Sequence, residues 1–182
     1  QLSNLKVRVS YGALGNNAVG NYDSQSLYTT NKNEYNYVLG NSMVTGLAKA
    51  ALANPLLTWE STNVFDAGLD FGFFNNRLTG TIDYFNKRTT DILINLPAPG
   101  VHGTTSLPKS NSAIVTNNGF ELTLGWQDKV QDFTYGATAN LTYVTNKVNK
   151  FKGTDKGGMA ISGANLIWEG HSINSQYLLR VD

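Results

Sequence analysis

The feature that most constrains this chain is strict alternation around a short turn. In "DFGFFNNRLTGTIDYF", Leu69, Phe71 and Phe73 alternate with Asp70 and Gly72. After Asn75-Asn76, Leu78, Gly80, Ile82 and Tyr84 alternate with Thr79, Thr81 and Asp83. Side chains of a strand point to opposite faces with a period of two, so this is a hairpin with one apolar and one polar face. The same pattern recurs in "LKVRVSYGA", "NVFDAGLDFGF", "GFELTLGW" and "FTYGATANLTYV". A chain patterned this way is all-β. Its apolar face must meet either a protein core or lipid.

Composition sharpens the choice. Charged residues make up 15% of the 182 residues, well below the roughly 25% of soluble domains. Gly, Asn and Thr are abundant, as turns and strands require. The formal net charge of +1 gives no electrostatic footprint for nucleic acid. There is no cysteine, which excludes disulfides, thiolate metal sites and cysteine nucleophiles. No apolar run reaches the length of a transmembrane helix. Gln1 onwards does not read as a signal peptide, so an exported protein would be represented by a mature or internal piece.

The connections sort by length. Asn75-Asn76, and the residues from Asp128 to Asp132, read as short turns. Leu14 to Leu57, Asn95 to Ser112 and Phe151 to Ser175 read as long loops. "GLAKAALANP", Gly46 to Pro55, has the spacing of a short helix inside the first loop. "LTGTIDYFNKRTTDIL", Leu78 to Leu93, reads as one unbroken strand, longer than the roughly 9–11 residues of a bilayer crossing. Short turns on one side and long loops on the other is the layout of outer-membrane barrels. Phe71, Phe73, Trp126, Phe133 and Tyr135 lie beside the short turns, as one aromatic girdle; Trp59, Tyr84 and Tyr143 lie nearer the other boundary. A soluble β-domain also alternates, so pattern alone leaves that reading open.

Several segments together carry a resemblance: "LKVRVSYGALGNNAVGNY", "NPLLTWESTNVFDAGLDFGFFNNRLTGTIDYFNKRTTDIL", "NNGFELTLGW", "NLTYVTNKVNKF" and "EGHSINSQY". In this order they closely resemble the barrel region of SusC/RagA-type TonB-dependent outer-membrane transporters, over nearly the whole chain. The resemblance implies an antiparallel transmembrane β-barrel of about 22 strands around a plug. It also implies active import of large nutrients, oligosaccharides or peptides, with energy delivered by TonB and a SusD-type surface lipoprotein as lid. It implies a location in the outer membrane of Bacteroidetes-like bacteria, as a multi-pass barrel. The segment "EGHSINSQY" resembles the start of the next strand.

About six strands fit this length, too few to close such a barrel without leaving edge groups unpaired in lipid. Residues 1–182 are therefore expected to be part of a barrel domain with long extracellular loops, with no plug legible. The missing wall would come from the remainder of the same barrel or from other chains. The alternatives are a small structural or adhesion barrel of the outer membrane, and a soluble β-sandwich that binds carbohydrate.

Within a barrel, Lys6, Arg8, Asp66, Asp70, Asp83, Glu121 and Asn140 are expected to face the lumen, against plug or cargo. Phe71, Phe73, Leu122, Leu124, Trp126, Phe133, Tyr135 and Leu141 are expected to face outer-membrane lipid. In the loops, Tyr28, Tyr35, Tyr37 and Trp168 are candidates for contact with a glycan or peptide substrate or with the lid; packing within the loops themselves is an equal alternative. No enzyme is expected. Asp83 and Glu121 are paired carboxylates, yet lumen polarity explains them more simply than glycoside hydrolysis. His102 and His171 read as solvated loop residues, "GTDKGG" lacks phosphate-loop spacing, and no metal or cofactor is expected.

Overall fold

The computed structural model describes residues 1–30, 36–51, 53–97, 106–152, 159–162 and 165–176. The elements run β1 (Leu2–Asn16), β2 (Leu27–Thr29), β3 (Asn36–Leu39), β4 (Ser42–Thr45), β5 (Ala48–Ala51), β6 (Glu60–Phe73), β7 (Leu78–Pro97), β8 (Ser106–Val130), β9 (Phe133–Phe151), β10 (Met159–Ser162), β11 (Asn165–Ile167) and β12 (Ser175–Gln176). The long strands form one antiparallel sheet in the order β1-β6-β7-β8-β9. Among the described residues there is no helix. This sheet has five strands, one fewer than the length suggested. Residues 177–182, where the next strand was expected to continue, lie outside the described residues.

The short turns form as the sequence demands, with adjustments. Phe74, Asn75 and Asn76 all have positive φ, at 54°, 58° and 63°. Asn tolerates this left-handed region well, whereas Phe rarely enters it. The turn is fixed from both sides: Phe74 N–H donates to the Gln1 carbonyl, Asn75 N–H to the Ser3 hydroxyl, and Gln127 N–H to the Arg77 carbonyl. The second turn is tighter than Asp128 to Asp132. Strand pairing continues to Val130↔Phe133, which leaves only Gln131 and Asp132, with Gln131 at φ 55°.

Two expectations about the outward region are corrected and a third is extended. Gly46 to Pro55 is not a helix: Ala48–Ala51 is β5, paired antiparallel with β2. An isolated helix of so few residues is marginal in water, and β2 offers its backbone a ladder instead. Asn95 to Ser112 is not a long loop either, because β7 runs to Pro97 and β8 begins at Ser106. The strand from Leu78 runs unbroken, as expected, and is longer, reaching Pro97. Its register shifts between Thr89 and Ile92, where Asp91 sits at φ 57°, a bulge that turns the outer part of the hairpin.

The long first connection folds on itself. Asn54 N–H reaches the Asp23 carbonyl, Leu27↔Ala51 and Thr29↔Ala48 pair next, and Asn36↔Thr45 and Leu39↔Ser42 pair beyond them. These pairs nest, giving an arm of two antiparallel ribbons, β2-β5 and β3-β4, the second turning at Gly40-Asn41.

Candidate functional site

The polar face is built row by row across the sheet. Lys6, Asp70, Thr81, Thr123 and Asn140 form one row; Arg8, Gly68, Asp83, Glu121 and Thr142 form the next. Ser10, Asp66 and Phe85 follow. All seven residues expected on the lumen side thus share one face. Arg8 reaches in from β1, at one edge of the sheet, and its guanidinium bridges β6 and β7. Nε and Nη2 each donate to the Asp70 carboxylate at 3.0 Å, and Nη2 also donates to Asp83 Oδ1 at 2.8 Å. The fork geometry of arginine suits this bidentate contact. Gly68 makes it possible, because a Cβ there would lie 2.7 Å from Arg8 Nη2 and closer still to Asp83. Asp83 and Glu121 face each other directly across β7 and β8, a like-charge pair that Arg8 offsets only on the Asp83 side. Nearer the short turns this face opens into a shallow depression of about 510 Å³, lined by Asn4, Asp70, Gly72, Thr79, Thr123 and Thr138.

The opposite face carries Phe71, Phe73, Leu122, Leu124, Trp126, Phe133, Tyr135 and Leu141, all in matching register. Rings meet along and across the strands: Phe71–Phe73 at 5.7 Å, Phe133–Tyr135 at 6.1 Å and Tyr84–Phe120 at 5.0 Å between centroids. Phe71 lies over Gly80, whose missing side chain leaves room for the ring. Yet the face has no protein cover. Val7 and Tyr11 are each 70% exposed, and Leu141 and Tyr143 each 65%. A row of bare aliphatic and aromatic side chains this large marks contact with another apolar phase.

Further out, the polar face changes character. Val115 and Val148 occupy it, buried with Ala113, Phe151 and Ile167, and with Ile92, Ile94 and Leu96 packed alongside. The segment after β11 seals this small core against the free edge of β9. Val148 N–H donates to the His171 carbonyl, Gly170 N–H to the Val148 carbonyl, and Phe151 N–H to Glu169 Oε1. Sequence reasoning missed this core, because its residues fell partly in supposed loops. It also missed Asn111, which staples the arm to the sheet: its amide donates to the Thr58 and Asp91 carbonyls and accepts from Thr58 N–H.

The loop aromatics are scattered. Tyr28 and Tyr37 are exposed on the arm, while Trp168 packs on His171 at 4.9 Å. Tyr35 and His102 lie outside the described residues, as does "GTDKGG". Among the described residues no cluster could hold a metal ion.

A sheet with one charged face and one bare apolar face, its strands 14 to 25 residues long, is the wall of a membrane barrel rather than half of a sandwich. Comparison with known proteins agrees. The family model for "TonB dependent receptor-like, beta-barrel" matches residues 2–169. The chain belongs to this family. It is 30% identical to the TonB-dependent receptor SusC of Bacteroides thetaiotaomicron over 177 residues, 96% of the chain and 18% of SusC. To the TonB-dependent receptor P26 of Formosa agariphila it is 33% identical over 152 residues, 83% of the chain and 15% of that receptor. Solved structures of the RagAB peptide transporter and of the RagAB peptide importer in its open-open state superpose with TM-scores of 0.76 and 0.77. They are 34% and 33% identical, and each match covers 96% of this chain and 18% of the other. The chain therefore spans less than a fifth of the length of these TonB-dependent relatives. Members of the TonB-dependent receptor family are outer-membrane β-barrels; they are receptors and transporters, not enzymes. The five strands are a part of such a barrel, and by themselves they do not close it.

Proposed function

We propose that this chain forms part of the wall of an outer-membrane importer of large nutrients, oligosaccharides or peptides, energised through TonB and capped by a SusD-type lipoprotein. The observation that carries the proposal is the two-faced sheet. Apolar side chains stand uncovered on one side, and the Arg8–Asp70–Asp83 network stands on the other. In a barrel these become the lipid face and the lumen face. The likeness to SusC and to RagAB, the latter described as a peptide transporter, supports the choice of large cargo. The nested arm at Asp23–Asn54 projects from the end opposite the short turns, where longer loops face outside. Tyr28 and Tyr37 on that arm, and Trp168 beside the sealed core, are proposed contacts for cargo or lid.

The test uses the complete barrel in vesicles, with single cysteines. Leu141→Cys and Leu124→Cys should react with a membrane-soluble thiol probe and resist a water-soluble one, whereas Thr123→Cys should do the reverse. In intact cells, deleting Tyr28 to Ala53 should weaken uptake or lid association and leave the barrel inserted. Uptake and lid association both unaffected by the deletion would refute the role of the arm.

A further inference from the structure

Just outward of the aromatic row, the apolar face turns cationic. Tyr84, Phe120 and Tyr143 form the last aromatic row on β7, β8 and β9. The next row is Asn86, Asn118 and Thr145, with Thr145 Oγ1 donating to Asn118 Oδ1 at 2.6 Å. Above it comes Arg88, Thr116 and Lys147. Extended to β1 and β6, these rows add Val9 and Ala67, Tyr11 and Phe65, and Ala13 and Asn63, and no acidic residue. Arg88 and Lys147 are exposed, and neither has an ion pair or side-chain hydrogen bond among the described residues. Among the described residues Arg8, Arg77 and Lys109 are ion-paired, whereas Lys6, Lys87, Lys129, Lys150 and Lys152, like Arg88 and Lys147, have no ion pair.

Position adds to this. From Leu78 at the short turn to Arg88 is ten residues of β7, about 33 Å along the strand. With the usual tilt this is about 25 Å of membrane height, the thickness of the apolar band of such barrels. Arg88 therefore stands at the level of the outer headgroups. It is separated from Lys147 by one strand, β8, hence by about 10 Å between backbones. Both side chains are long enough to converge on one anion above Thr116, which lies between them on β8. An arginine fork and a lysine are well suited to the oxygens of a phosphate, and aromatic rings below suit the glycerol or sugar level of a lipid.

Resting on the proposed lipid face, we infer that Arg88, Thr116 and Lys147 form a docking site for the phosphorylated headgroup of an outer-leaflet lipid. The charge complementarity and the continuity with the apolar band both select a lipid rather than a soluble anion.

The test is titration of the complete barrel in neutral detergent with phosphatidic acid and with phosphatidylcholine, read by native mass spectrometry. Wild type should retain phosphatidic acid preferentially. Arg88→Gln and Lys147→Gln should each weaken that binding about fivefold, and the pair more. Lys87→Gln, one residue away on the opposite face, should leave it unchanged. Undiminished binding in the double variant, or equal loss with Lys87→Gln, would overturn the inference. So would competition by inorganic phosphate as strong as by the lipid, which would identify a free anion instead. Cysteine labelling at Leu141 separates the two levels of the argument. If Leu141 is lipid-facing but headgroup selectivity is absent, only this inference fails; if Leu141 is water-facing, the face assignment fails with it.

Discussion

Replacing Leu122 by Arg and, separately, Thr123 by Arg tests the two-faced wall with neighbouring residues. Leu122 pairs with Ile82 and Leu141 on the apolar face. It lies four residues outward of Trp126, the partner of Leu78, about 13 Å along the strand and about 10 Å in height, near the middle of a band about 25 Å thick. The neighbouring isoleucine and leucine offer no polar group, and the strand ends are too distant for the guanidinium to reach water easily. An arginine at such depth costs about 2–4 kcal/mol. Thr123 points the other way, between Thr81 and Asn140 and into the depression beside Asp70. An arginine there keeps its hydration, and the expected cost is below about 1 kcal/mol. Guanidinium unfolding of the complete barrel in lipid vesicles measures both. Equal destabilisation of the two variants would show that the faces do not differ in solvent, and the membrane reading would fall.

Two further outcomes follow from packing. A Cβ at Gly119 would lie 2.4 Å from the Tyr143 carbonyl oxygen and 3.0 Å from the Phe85 ring, whereas one at Gly125 would meet two side-chain hydroxyls, Thr79 at 3.0 Å and Thr138 at 4.0 Å; Gly119→Ala should therefore cost about 1–3 kcal/mol and Gly125→Ala much less, by the same unfolding assay. Val148 is completely buried in the outward core, so Val148→Ala should cost about 2 kcal/mol locally; faster hydrogen exchange at Gly170 and easier proteolysis near His171 should report it, with membrane insertion unchanged.

The membrane-crossing part of the wall was legible because one rule governs it. Each side chain there answers only to its face, so alternation in "LTGTIDYF" or "NLTYV" assigns Asp83, Tyr84, Asn140 and Leu141 without knowledge of partners. The Arg8 network was half legible. Its three members could be placed on one face, but that Arg8 reaches two strands depends on the register Arg8↔Gly68↔Asp83, which is a property of pairing. The outward region was misread for a related reason. Above Asn117 and Asn146, which are joined by a side-chain hydrogen bond, the polar face becomes an interior. There Ser, Asn and Gly serve strands as well as turns. A stretch such as Lys109 to Ser112, polar in composition, reads as loop, yet it is a strand whose Asn111 spends its amide on Thr58 and Asp91. No local pattern announces those partners, since they are 53 and 20 residues away.

The change of rule along the strands has a physical consequence for how such a wall is held. In the lower rows, ladder hydrogen bonds and lipid contact stabilise the sheet. The polar side chains can then remain hydrated, as the exposed Glu121 and Asn140 are. The upper rows lie beyond the apolar band, so the strands there must supply their own apolar contact. The bulge at Asp91, Ile92 to Leu96 on β7, and Ile167 folded against Val148 provide it. The arm is tied to this upper platform, and not to the rows below, through Asn54, Asn111 and the Lys109–Asp23 ion pair. An outward element anchored this way keeps its position relative to the upper platform and, in the proposed importer, leaves the charged face beneath it open to cargo.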